Sequence, residues 1–589
     1  MSRTRHSILV KLMGKESFDG TDAALASPVE YQAGQTLAQA IYLSGLYAPP
    51  ALCSGLAACG RCRVRVTSEP GPEPEPADMR LFAPDELALG WRLACKHHAW
   101  PGMCIELPVE TRLFADLLRE SGKKSAADLA VLPDAASDPG DTTDSVSFYP
   151  PTAGDPLRST NGKTAFLAVD LGTTSLEWRL QANLPQGPCT LWQGKAVNPQ
   201  MGAGSDLVSR LSFAATDAGR ELLYRLTQDA LRGLVEQSAL VMRAKGLSGG
   251  PSALCLAANT AMTAISLGVD TRSLANAPYA VPYAGGQWEA LPGLPPLLTP
   301  PQPSPFVGGD IAAGYAALAL DREFPIPEYP FLLADLGTNG EFLLALAPDN
   351  SLATSVALGP ALEGIGLSHG IDAQPGAVSN FSFSPYGLEA ICVKHSASQR
   401  ATPSSVPGIT ATGYLELLHI LLTSGAMDRQ GYFTPDACGA LKRFFTPKRA
   451  LGTEEARNGA WLPLPLGLRL SARDIEEVLK VKAAFSLGLR RLLDKAGLAS
   501  RDLKRVYIAG ALGLHVNKRA LEELGFFPPG MEKRLEAVGN TSLAGASLLL
   551  RTPQARPSLL RWAEKVHTLD LAADSAFTHD FAEHMRFVW

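Results

Sequence analysis

The chain has no run of about 18 uninterrupted apolar residues, the length a membrane-spanning helix requires, so a span is not expected. Its first fifteen residues, MSRTRHSILVKLMGK, lack the apolar stretch of a secretion signal. Basic excess is also missing. Lys and Arg number 53 against 58 Asp and Glu, for a net charge of −5, and no long basic run occurs. Phosphate-backbone binding needs clustered Lys and Arg, so nucleic acid is excluded as a main partner. Cysteine is scarce and uneven: there are nine, five of them between Cys53 and Cys104. A secreted disulfide scaffold would be short and would use cysteine throughout. One local cluster in an otherwise cysteine-poor chain points instead to a metal site in a soluble, cytoplasmic protein.

Apolar material is plentiful at 46%, with 19% charged residues, and 589 residues exceed what one core holds. Domain sizes suggest about three or four units. The N-terminal part opens with SILVKL (Ser7 to Leu12), whose alternation predicts a strand. TLAQAIYL (Thr36 to Leu43) predicts a helix with Thr36 in the cap region. RCRVRV (Arg61 to Val66) and CIELPV (Cys104 to Val109) predict further strands, with a loop at Gly71 to Pro76. From about Ala127 to Lys163 the composition turns to Pro, Asp, Ser, Thr and Gly, which predicts a linker, an ordered loop being the alternative. Leu291 to Pro305 is expected as an ordered surface loop, and Glu476 to Lys495 as a helix.

The cluster spacing is Cys53-x5-Cys59-x2-Cys62, followed after 32 residues by Cys95. Three thiolates on one loop and a fourth from a distant segment is how plant-type ferredoxins hold [2Fe–2S], although their first gap is x4. Gly and Ala in CSGLAACGRC let backbone N–H groups turn toward cluster sulfurs. Structural zinc is the alternative, but zinc sites pair two short knuckles and this chain offers one Cys-x2-Cys. His97 and His98 adjoin Cys95 and are expected at the surface; Cys104 is expected in a core, as are the isolated Cys189, Cys255, Cys392 and Cys438.

A short motif occurs twice. AFLAVDLGTTSLEWRL starts at Ala165 and PFLLADLGTNGEFLLAL at Pro330, with Asp170 and Asp335 equivalent and 165 residues apart. In each, an apolar strand ends in Asp-Leu-Gly-Thr, turns through small polar residues and enters a second strand. Such a turn can wrap oligophosphate through inward N–H groups and Thr hydroxyls. The Asp suits a Mg²⁺ ion held through water, because Mg²⁺ keeps most of its hydration shell.

The pair DLGTTS (Asp170 to Ser175) and DLGTNGE (Asp335 to Glu341) resembles the phosphate motifs of the acetate kinase, sugar kinase, Hsp70 and actin superfamily. VYIAGALG (Val506 to Gly513) is similar to its adenosine motif. Joined to the four-cysteine domain, these motifs resemble the reductive activators of corrinoid-dependent methyl-transfer proteins. NPQMGAGSDLVSRL, ANTAMTAISLGVD, GPALEGIG, VGNTSLAGA and WRLACKHH fit the same family. The resemblance implies a multidomain α/β chain. A β-grasp-like [2Fe–2S] ferredoxin domain would occupy residues 1–112 and a linker 113–163, followed by a duplicated ASKHA-type ATPase with lobes at 164–329 and 330–589. Relatives carry a folded middle domain after the cluster domain, and only the linker 113–163 occupies that space on this division.

The resemblance further implies ATP-dependent one-electron reduction of a Co(II) corrinoid to Co(I), with a low-potential donor and a corrinoid methyl-transfer protein as partners, and a homodimer left open. Cys53, Cys59, Cys62 and Cys95 would hold the cluster. Asp170 and Asp335 would organise Mg²⁺. Gly172, Thr173, Thr174, Gly337, Thr338 and Asn339 would hold the phosphates of ATP, and Gly510, Ala511 and Gly513 would pack its nucleoside. Glu341 is the candidate to orient the attacking water, with a solvated strand-start glutamate as its other reading, and Glu363 carries the same ambiguity. An iron–sulfur small-molecule kinase, a plain electron carrier with a regulatory nucleotide domain, and an activator of 2-hydroxyacyl-CoA dehydratases are the competing functions. The last holds its cluster between subunits with two cysteines each, which four cysteines in one chain disfavour.

Overall fold

A computed structural model describes residues 6–13, 26–50, 52–53, 55–57, 59–121, 165–184, 187–321, 326–384, 387–393, 406–434 and 460–589. Most of the predicted linker, and Cys438, lie outside the described residues.

The N-terminal domain is a five-stranded sheet in the order Ser27–Tyr31, His6–Leu12, Cys104–Leu107, Arg63–Val66, Trp91–Leu93, with the helix Leu37–Tyr42 and the short helices Pro76–Leu81 and Pro84–Ala88 packed on it. The central pairing of His6–Leu12 with Cys104–Leu107 is parallel and its neighbours are antiparallel, a β-grasp arrangement. Thr36 caps the helix: its hydroxyl accepts from the Gln39 N–H, and the Gln39 side chain accepts from the Thr36 N–H. That reciprocal box satisfies two otherwise orphaned donors. The alternation at Arg63–Val66 is realised as expected, with Val64 and Val66 buried and Arg63 stacked over Phe82 and Trp91.

Three sequence expectations need correction in or beside this domain. His97 is buried, 2.7 Å from Asp78 Oδ2, while Asp78 also accepts the Leu93 N–H. A buried carboxylate requires donors, and the turn after Cys95 turns His97 inward to supply one while His98 stays exposed. Cys104 is half-exposed, not a core residue. The residues from 113 do not begin as linker: Phe114–Ser121 is a helix whose Phe114 and Leu118 pack into the next domain beside Leu231 and Leu234. Among the isolated cysteines, Cys255 is buried, whereas Cys189 and Cys392 are only half-buried.

Two six-stranded sheets follow. The first runs Trp288–Glu289, Leu297–Leu298, Ala253–Ala258, Ala165–Leu171, Ser175–Leu184, Gly187–Val197. The second runs Leu535–Gly539, Arg505–Ala509, Phe331–Leu336, Asn339–Ala347, Asn350–Ala357, His567–Leu569. In both, the strand ending in the motif Asp pairs antiparallel with its hairpin partner on one side and parallel with a later strand on the other. Asp170 stands opposite Ala257, and Asp335 opposite Ala509. The repeat read from sequence is therefore a repeat of topology. Leu291 to Pro305 departs from the surface-loop expectation: Leu297–Leu298 is a strand against Ala253–Ala258, and Thr299 and Gln302 are buried.

One core joins the two sheets. Phe166, Cys255 and Ala257 of the first share it with Leu333, Leu343 and Ala509 of the second. The helices Gly309–Ala319 and Thr541–Arg551 cross within it at backbone contact. A Cβ on Gly545 would lie 1.8 Å from the Ala313 carbonyl oxygen, so no side chain fits there. The long helix Ala472–Ala496 contains the predicted Glu476 to Lys495 and starts at a Ser471–Asp474 capping box.

The docked helix Phe114–Ser121 yields a stability test. Leu118→Ala removes a side chain 4% exposed in the core of the following domain. It is expected to cost about 2–5 kcal/mol in chemical denaturation. A loss below about 0.5 kcal/mol, the ordinary scatter of surface changes, would show that the helix does not dock.

Candidate functional site

The cysteine loop owes its shape to small residues in the left-handed region. Gly55, Ala57 and Gly60 have φ of +81°, +54° and +65°. The Ala94 N–H donates to the Cys62 carbonyl at 2.8 Å and draws the fourth ligand, Cys95, to the loop. The thiols then fall into two pairs, Cys59 donating to Cys53 and Cys62 donating to Cys95. These hydrogen bonds, followed by burial, push Cys59 and Cys62 up, and the bond from Cys62 pulls Cys95 down.

Among the described residues, three metal-ligating atoms within 4.8 Å of one another occur only at His579, Asp580 and Glu583, so no three of these sulfurs meet that condition. A tetrahedral zinc ion gathers four thiolates around one centre. Two pairs side by side fit two irons instead. A cavity of about 190 Å³ adjoins all four and is lined as well by Thr36, Gln39, Met201 and Gly204.

The second centre lies where the motif hairpins end. In the first, Asp170 stands across from Glu177. Asn540 Nδ2 donates to Asp170 Oδ2 at 2.7 Å and to Glu177 Oε2 at 2.9 Å, and the Ser542 hydroxyl donates to Asp170 Oδ1 at 2.9 Å. The VGNTSLAGA segment thus serves the first hairpin from 370 residues away. Thr173 is buried beside Asn259 Nδ2, and Asn198 binds the turn through the Gly172 and Thr174 carbonyls.

In the second hairpin, Asp335 stands across from Glu341. Gly337 N–H donates to the Asn339 carbonyl and the Thr338 hydroxyl donates to Glu363 Oε1 at 2.9 Å. Gly510, at φ +85°, leads from the strand Arg505–Ala509 into the short helix that Ala511 opens; a Cβ there would sit 3.4 Å from Asp335 Oδ1. Gly513 packs on Ile508, where a Cβ would come within 2.8 Å. The adenosine-type motif therefore abuts the second hairpin, and Asn540 and Ser542 abut the first.

Burial dominates the electrostatics. Asp170, Asp310 and Asp335 are each pushed up to about 7 by desolvation, aided by neighbouring negative charge. Glu341 is raised well above its ordinary value by burial and then by Asp310 and Asp335. It is 6% exposed, which removes the solvated-glutamate reading. Glu177 goes down despite burial, because Lys195 pairs with it at 2.9 Å. Asp310, Glu177, Asn540 and Ser542 escape sequence reasoning; the Gly-Gly-Asp start of the helix Gly309–Ala319 is the one local signal for Asp310. Desolvated like charges of this kind call for a cation, and since among the described residues no three of Asp170, Glu177, Asp310, Asp335 and Glu341 bring ligating atoms within 4.8 Å of one another, the donor set fits a hydrated Mg²⁺.

The fold and these two centres define an iron–sulfur protein built on an ASKHA-type domain. The description "2Fe-2S iron-sulfur cluster binding domain" matches residues 25–99, "RACo middle region" matches 166–323, and "C-terminal domain of RACo the ASKHA domain" matches 330–589. The chain belongs to the corrinoid activation protein family of reductive activators. It is 26% identical over 440 residues to the corrinoid activation enzyme RamQ of Eubacterium limosum, covering 72% of this chain and 70% of that one. It is 28% identical over 276 residues to the [Co(II) methylated amine-specific corrinoid protein] reductase of Methanosarcina barkeri, and there it spans only 46% of the relative. The solved structure of a reductive activator for corrinoid,iron-sulfur protein shares the fold, with a TM-score of 0.60 at 22% identity over 99% of this chain and 98% of that one. The middle region is therefore not missing, as the sequence suggested. It is the segment that carries the first hairpin.

A pH dependence follows from the raised carboxyls. Their folded values near 7 lie above the ordinary Asp value of 3.8, so the protonated forms favour the fold and that stability is lost as pH rises from about 4 through 7. Mg²⁺ binding requires the ionised forms. Calorimetric Mg²⁺–nucleotide affinity should rise between about pH 6 and 8, and added Mg²⁺–nucleotide should raise the melting temperature more at pH 8 than at pH 6. A flat Mg²⁺ affinity across that range would refute the assignment.

Proposed function

We propose that this chain carries out ATP-dependent one-electron reduction of the Co(II) corrinoid of a methyl-transfer protein to Co(I), in the cytoplasm. A low-potential donor would supply the electron, and the two hairpin-bearing lobes would be divided as 164–329 and 330–589. The observation that carries the proposal is that the paired cysteines and both phosphate-type hairpins meet in one chain of this family. The activities for which the Eubacterium limosum and Methanosarcina barkeri relatives are named agree with it. When bound at Cys53, Cys59, Cys62 and Cys95, a [2Fe–2S] cluster supplies a low-potential one-electron store.

The residues have separable parts. Asp170 and Asp335 would hold a Mg²⁺ ion through its water ligands, with Asp310 completing the anionic wall. Gly172, Thr173, Thr174, Gly337, Thr338 and Asn339 bind phosphate oxygens through turn N–H groups and hydroxyls, and Gly510, Ala511 and Gly513 leave room for the nucleoside. Glu341, buried across the hairpin from Asp335, orients the attacking water.

Corrinoid reduction to Co(I) is uphill from ordinary donors, and each tenfold in a one-electron equilibrium corresponds to about 59 mV. Nucleotide can bias the docked pose only by its differential affinity for the two states. Turning a 1:99 population into 99:1 requires about 5.5 kcal/mol, within reach of a clamp that closes on a triphosphate.

Two measurements test this. Protein purified without oxygen should contain equal iron and acid-labile sulfide and lose both in Cys62→Ala; zinc in their place would sink the proposal. In an anaerobic mixture with a corrinoid protein, reductant and ATP, the Co(I) absorption should grow only with ATP. Asp335→Asn should slow that growth about 10–100-fold, as for residues that orient a metal's shell. Stoichiometric phosphorylation of a small molecule would favour the kinase reading instead.

A further inference from the structure

The cluster loop is held between two short segments, and each begins at one of the phosphate-type hairpins. From the first hairpin, Asn198 bonds the turn carbonyls of Gly172 and Thr174, and three residues later Met201 is buried against Cys53. Buried Arg210 pins this segment by donating to the Gly204 carbonyl at 2.5 Å. From the second hairpin, the Gly359 N–H donates to the Thr338 carbonyl at 3.0 Å, and a short 3₁₀ turn brings Glu363 back to the Thr338 hydroxyl. Ile365, 2% exposed, then packs with Met201 on Cys53.

Arg61 closes the circuit. It lies between Cys59 and Cys62, and its Nη2 reaches across to donate to the Gly364 carbonyl at 3.2 Å and to the Gly370 carbonyl. The loop it grips is closed on itself. A Cβ on Gly364, at φ +71°, would meet the Ile371 nitrogen at 2.5 Å, and one on Gly370 would meet the Gly364 oxygen at 2.2 Å. A loop this tight moves as a unit. At its other end Glu363 spans the hairpins: Oε1 takes the Thr338 hydroxyl, the Thr174 hydroxyl also faces it, and Oε2 is buried without a hydrogen bond of ordinary geometry. This carboxylate, approached by a threonine of each turn and with one oxygen left unfilled, is set where a phosphate held by the turns, or its attendant cation and water, would alter its bonding.

We propose that Glu363 and Arg61 are positioning residues that transmit the state of the nucleotide to the iron–sulfur cluster. Glu363 senses the two turns, the Gly359–Ile371 loop carries the displacement, and Arg61 and Ile365 deliver it to the cysteine loop. This inference rests on the nucleotide-dependent activator reading above.

The test uses the full chain with its cluster, a non-hydrolysable ATP analogue and Mg²⁺, with nucleotide binding followed by calorimetry and the cluster by redox titration and EPR. In the unmodified protein, saturating analogue should change the reduced-to-oxidised ratio at fixed potential at least threefold, about 28 mV at 59 mV per tenfold, and alter the EPR signal. Arg61→Lys and Arg61→Gln should bind the analogue and keep their iron, yet lose that response. The Lys variant keeps the charge beside the cluster, so loss of response in both separates coupling from simple electrostatic tuning. Glu363→Ala should lose the response and Glu363→Gln, which keeps the acceptor for Thr338, should regain part of it. Retention of the full response in both Arg61 variants would overturn the proposal. So would a cluster in the unmodified protein indifferent to bound nucleotide, while ATP-dependent corrinoid reduction would still stand. If nucleotide did not bind at all, both readings would fall.

Discussion

Three aspartates from three separate segments, Asp170, Asp310 and Asp335, stand half-buried where the two repeated sheets meet. Each is held up near 7, well above its ordinary value, because desolvation disfavours the charged form. A fold that accumulates this opposition gains nothing from it without a cation, and much of the surrounding structure serves to hold the three in place. The helix starting at Gly309 brings Asp310. The crossing of that helix with Thr541–Arg551, at a distance only Gly545 permits, brings Asn540 and Ser542 to Asp170. Gly510 then gives Asp335 a neighbour without a side chain. Remove the small residues and the carboxyls separate; remove the carboxyls and the close crossing has no chemical purpose.

What could be read from sequence was local. The cysteine spacing, the two Asp-Leu-Gly-Thr turns and the Thr36–Gln39 cap each lie within a few residues, where backbone geometry follows from residue type. What could not be read depends on distant partners. Asn540 and Ser542 meet Asp170 across 370 and 372 residues. His97 differs from His98 only because Asp78 waits on one side. The buried state of Glu341 follows from the layers that cover the second sheet, and no feature of DLGTNGE distinguishes it from a strand-start glutamate in water. The middle region was hidden for a related reason: its first hairpin looks so much like the second that it reads as a lobe of the same domain, and the strand topology shows how far that likeness goes.

The arrangement also bears on how a nucleotide could influence an electron at all. Through space a charge at the hairpins acts on the cluster only by a Coulomb interaction that falls with distance and with the local dielectric. Movement is a stronger lever, because it can change what covers the cluster. Met201 and Ile365 bury Cys53 here, and each sits at the end of a segment that begins at a phosphate-type turn. A shift of either segment exposes or covers the cysteine loop, and exposure to a partner alters both solvation and electron-transfer distance together. The tight Gly364–Gly370 closure favours this over gradual deformation, since packed loops with no room for a Cβ change position as units.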